Sequence, residues 1–163
     1  MNQLTLQNIA QEVVGLFHSD VTFKDTITMK DYHGFQKARI PLEDLENIVK
    51  KYSITTELLQ VELVKVTQDL SDEIHIHHIS QAYCIVFGDN EGLEPPKDAF
   101  VFINDHWSPV KQREAILITP KTKHGFTVKP GGILYFLSVQ TPPIENKHGQ
   151  DDYEKVFVDI AKP

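Results

Sequence analysis

The chain has 163 residues, a formal net charge of −7, 40% hydrophobic and 24% charged residues. That length suits one domain with a sizeable core, and the acidic balance, with no basic stripe, argues against nucleic acid or an anionic membrane as a partner. One cysteine, Cys84, excludes an internal disulfide and fits a reducing compartment. The start shows no secretory signal and no apolar run approaches the roughly 18 residues that span a bilayer, so a cytoplasmic protein is expected.

In chain order, residues 4–18 read as an amphipathic helix, with Ile9, Val13, Leu16 and Phe17 at helical spacing. Between Asp20 and Ile40 the pattern is mixed. Ile27-Thr28-Met29 and Phe35-Gln36-Lys37-Ala38 read as short strands about a turn at residues 31–34. Pro41 suits the first position of a helix, with Glu43 and Asp44 in its first turn and Lys50 and Lys51 in its last. Leu42, Leu45, Ile48, Val49 and Tyr52 form its apolar stripe. Residues 1–56 are therefore expected as an N-terminal helical extension packed on one face of a sheet.

From Glu57 the period becomes that of strands, expected at 58–67, 73–77, 81–87, 98–103, 114–119, 125–128, 132–140 and 154–160. Lys129-Pro130-Gly131-Gly132 reads as a tight turn. His106 and Trp107 are expected on a loop. Many short strands with Gly- and Pro-rich separators indicate an all-β sandwich or barrel over residues 57–163.

The stretch Glu73-Ile74-His75-Ile76-His77-His78-Ile79-Ser80-Gln81 carries the chemistry, together with His124. Alternate residues of a strand share a face, so His75 and His77 stand roughly 6.5 Å apart, near enough to bind one metal ion. A straight strand would place Gln81 roughly 13 Å beyond His77. A turn at 78–80 would instead fold it back beside the histidines. From there Gln81, Tyr83, Ile85 and Phe87 form one face and Ala82, Cys84 and Val86 the other.

These residues resemble the cupin family. Its first motif, G-x5-H-x-H-x3-E-x6-G, finds His75, His77 and Gly88 in their slots, with Gln81 at the glutamate and Asp69 at the first glycine. Its second, G-x5-P-x4-H-x3-N, finds His124 in its slot, with Arg113, Thr119 and Val128 at the glycine, proline and asparagine. The resemblance implies an all-β fold, the double-stranded β-helix or jelly-roll barrel, behind the helical extension. It also implies one divalent metal held by His75, His77 and His124, with Gln81 either a fourth ligand or bonded to metal-bound water. Iron is the first expectation, with zinc, manganese and nickel open.

Glu73 shares parity with the histidines and is a candidate general base or imidazole partner, against a plain reading as a solvated rim carboxylate. Tyr83 is a candidate substrate contact by the same parity, against ordinary barrel lining. The plain reading of the histidines is a barrel that has lost its metal. The leading functional expectation is a metal-dependent dioxygenase acting on a small anionic or enolisable molecule. The alternatives are a metal-dependent isomerase of a sugar or related carbonyl compound, and a non-catalytic module binding a small ligand in the barrel. The apolar face of Ile74, Ile76, Cys84 and Val86 needs cover from the N-terminal helices or from a second subunit, and a homodimer is expected.

Overall fold

A computed structural model of the chain describes residues 1–19, 27–32, 34–88, 92–145 and 151–163. Helix α1 (Gln3–Ser19) buries Ile9, Val13 and Phe17 of the expected stripe, with Leu6 beside them, while Leu16 is only half-buried. Strands β1 (Lys30–Tyr32) and β2 (Phe35–Arg39) form a hairpin. Both lie within the stretch expected to be a helical extension, and β2 joins the main sheet. Pro41 precedes a 3₁₀ turn, Leu42–Leu45, which runs into α2 (Glu46–Lys51).

The remaining strands are β3 (Gln60–Val66), β4 (His75–Ile76), β5 (Gln81–Val86), β6 (Lys97–Ile103), β7 (His106–Pro109), β8 (Ala115–Ile118), β9 (Gly125–Thr141) and β10 (Glu154–Lys155). One layer runs β1-β2-β3-β9-β5-β8. The facing layer is built from β7, β6 and the first part of β9, extended by the bridge of His124 to His75 and by β4 with β10. The strand order is open rather than closed into a ring.

Two expectations are corrected here. Pro130-Gly131-Gly132 does not reverse the chain: β9 continues through it, pairing with β6 on both sides of the bulge as far as Ile133, and with β3 and β5 from Leu134 onward. Gly131 takes a positive φ of 79°, and a Cβ on Gly132 would stand 2.7 Å from the Lys97 carbonyl, so glycine lets the bend pass close to β6. His106 and Trp107 belong to a strand, not a loop. Asn104 and Asp105, at φ 54° and 61°, make the two-residue turn that pairs β7 with β6.

Apolar residues collect on both sides of the main sheet. Inside, between the layers, lie Val64, Val66, Ala82, Cys84, Val86, Val101, Ile118, Leu134 and Phe136. Outside, under the helices, lie Leu6, Ile9, Val13, Phe17, Ile48, Tyr83, Ile85, Phe87 and Leu137. The face of β5 holding Tyr83 is thus covered by α1, and that holding Cys84 by the opposite layer. No helix among the described residues is long and apolar enough to cross a membrane.

Candidate metal centre

His75 and His124 sit directly opposite each other on neighbouring strands, exchanging backbone hydrogen bonds of 3.0 Å in both directions. Such a pair presents both side chains on one face at close range. His77 follows His75 by the strand period and joins them. Ring centroids lie 4.2 Å apart for His75–His124, 5.0 Å for His75–His77 and 4.9 Å for His77–His124. One ligand nitrogen from each lies within 4.8 Å of the others, a grouping that could hold one shared ion.

Each ring is held by a backbone carbonyl. The Nδ1–H of His75 donates to Glu73 O at 3.0 Å, that of His124 to Thr122 O at 2.9 Å, and that of His77 to Asp152 O. With Nδ1 protonated, Nε2 of each neutral ring keeps its lone pair free. Burial pushes His75 down to about 4 and His124 to about 3, and lowers His77, the carbonyl contacts offsetting only part of that cost. All three are therefore neutral at pH 7. Three neutral, fixed, desolvated imidazoles fit a divalent ion, and an all-nitrogen set suits iron, zinc or nickel better than manganese.

The imidazoles open into a cavity of about 490 Å³ between the layers. Val64, Ile118, Phe126 and Phe136 give it apolar walls, and Gln60, Glu62, Ser138 and Gln140 a polar one. Glu62 is 5% exposed. It accepts from Gln60 Nε2 at 3.0 Å and pairs with Lys37 Nζ at 3.2 Å. Burial alone would depress the Lys37 ammonium, but Glu62 and Glu145 outweigh it and raise its pKa.

Of the residues singled out from sequence, the structure brings together His75, His77 and His124. Glu73 lines the same cavity at its rim, bonded to Lys155 at 3.0 Å. Gln81 and Tyr83 are not brought to the imidazoles, because the parity expected for β5 is reversed. Gln81 donates its amide to the Met1 carbonyl at 2.9 Å, and Tyr83 packs in the core beneath the helices. On this strand Ala82, not Gln81, lines the cavity. His78 faces outward, against Glu154 at 2.7 Å.

Sequence reasoning passed over Glu62, Lys37, Gln140 and Asp152. Glu62 and Gln140 could have been flagged as polar residues inside largely apolar strands, whereas Lys37 lies in a strand already rich in polar residues. Asp152 carries no local signal.

No family model matches the chain, and no curated sequence matches it. Solved structures do. The polyketide cyclase RemF from Streptomyces resistomycificus superposes with a TM-score of 0.57 at 16% identity, over 83% of each chain. A variant of Pac13 from Streptomyces solved with uridine gives 0.54 at 15%, over 83% of this chain and 88% of that one; Pac13 is a nucleoside dehydratase. A sugar phosphate isomerase of the cupin superfamily from Silicibacter pomeroyi gives 0.50 at 14%, over 74% of each chain. The chain has the cupin fold. In this fold the three motif histidines come together where they could hold a metal ion, while Gln81, in the slot usually filled by glutamate, lies on the far side of the sheet, bonded to Met1.

Proposed function

We propose that this cupin is a metal-dependent enzyme that moves protons on a small polar substrate, an isomerase or lyase of a hydroxy-carbonyl compound. The observation that carries this reading is the buried Glu62–Lys37 pair lining the same cavity as the three neutral imidazoles. A divalent ion held by His75, His77 and His124 would supply Lewis acidity, polarising a substrate oxygen. Glu62 is the residue to take a proton from carbon and return it. Lys37 holds that carboxylate in place and supplies a donor for substrate oxygen. Gln140 and Ser138 line the polar wall, where hydroxyl groups would rest, and the apolar walls keep water from the reacting atoms.

The test is proton NMR of hydroxy-carbonyl compounds incubated with iron- or zinc-loaded protein in D₂O. Deuterium exchange next to the carbonyl is expected, with loss of at least tenfold in Glu62→Gln at unchanged metal content. Oxygen uptake without exchange would replace this reading with the dioxygenase. Bound metal with neither outcome would leave a ligand-binding module.

A further inference from the structure

The three imidazoles differ in how they are held. His75 and His124 each donate to the carbonyl two residues before them, Glu73 and Thr122, so their own strands set their rings. His77 donates to Asp152, far along the chain. The Asp152 carboxylate in turn accepts all three backbone N–H groups of the turn leaving His77: His78 at 2.7 Å, Ile79 at 3.0 Å and Ser80 at 2.7 Å. Its own N–H donates to Ile144 O at 2.8 Å. The residues that follow lie along the same strand. Tyr153 stacks on His75 with centroids 4.6 Å apart, β10 pairs with β4, and Lys155 reaches Glu73.

Burial works to raise the Asp152 carboxyl, but the N–H groups of Ser80, His78 and Ile79 outweigh it and hold the group at about 2. A carboxylate accepting three backbone N–H groups makes bonds of the stronger, charge-assisted kind.

Resting on the metal reading of the triad, we propose that Asp152 is the positioning residue of the centre. Its carbonyl fixes the His77 ring with Nε2 toward the other two imidazoles, and its carboxylate, by gripping the 78–80 turn, keeps that carbonyl in register. An outer hydrogen bond of this kind sets the tautomer and direction of a ligating histidine, and its loss typically weakens metal binding ten- to a hundredfold.

The experiment compares parent, Asp152→Ala, Asp152→Asn and, as a control, Glu12→Ala, which removes a carboxylate on α1 bonded to Lys51 and Tyr52. Co²⁺ is titrated by its visible spectrum, and the His77 tautomer is read in the metal-free proteins by long-range proton–nitrogen correlation. Asp152→Ala is expected to lose about ten- to a hundredfold in Co²⁺ affinity, with an altered spectrum and a His77 Nδ1–H signal that weakens or shifts to Nε2. Asp152→Asn, keeping one acceptor oxygen, is expected to lose less, and Glu12→Ala to leave affinity and spectrum as in the parent. Parental affinity and tautomer in Asp152→Ala would overturn the proposal, as would an equal loss in Glu12→Ala. If the parent itself binds no Co²⁺, the metal reading fails, and the His77 tautomer alone decides whether Asp152 sets the ring.

Discussion

Burial decides the protonation of the three histidines, and hydrogen bonds decide which nitrogen each presents. The test of the triad follows: His75→Ala or His124→Ala should lose stoichiometric metal, read by elemental analysis, while circular dichroism stays parental. A second carboxylate shows how local bonds set acid stability. Asp69 accepts from the Ser71 hydroxyl and backbone N–H and from Thr127, and the Ser71 hydroxyl does most to pull its carboxyl down to about 2. Since its folded value lies below the unfolded 3.8, the unfolded chain binds the proton first. The contribution is complete above about 4 and is lost as pH falls toward 2. Asp69→Ala is therefore expected to lower stability at neutral pH and to flatten its decline in that acid window, measured by urea unfolding at several pH values.

At the scale of elements, β5 explains the main error of the sequence reading. Ala82, Cys84 and Val86 fill the space between layers while Tyr83, Ile85 and Phe87 fill the space under α1. Both faces are apolar, so alternation locates the strand without orienting it. The one polar residue, Gln81, suggests the wrong face because it ends the strand beside the first residue of the chain, where Met1 offers an acceptor. By contrast, α1 was legible because one of its faces is wet, and the His-x-His pair because two side chains must share a face whichever way the strand points. Phe87, 1% exposed and 5.0 Å from the Phe17 ring, joins α1 to this sheet. Phe87→Ala is expected to destabilise by about 3–5 kcal/mol in denaturant titration, with metal content unchanged because it lies outside the cavity.

For the whole molecule, covering β5 with α1 bears on assembly. The sequence raised a homodimer to cover Ile74, Ile76, Cys84 and Val86, but Ile74, Cys84 and Val86 are already buried within the chain, and α1 covers the opposite face of β5. Any dimer must use other surface, and sedimentation velocity of the full chain reads the oligomeric state directly. The cupin fold was legible from strand spacing and the three histidines. The grip of Asp152 on His77 was not, because contacts between distant segments leave no periodic trace in the chain. The 17-residue β9 is the largest such case: it pairs with β3 and β5 along one part and with β6 along the other. A strand woven into both layers couples their fates. Neither can fray far while its neighbour persists, so amide protons of β3, β6 and β9 are expected to exchange as one slow class, and heating to give a single transition.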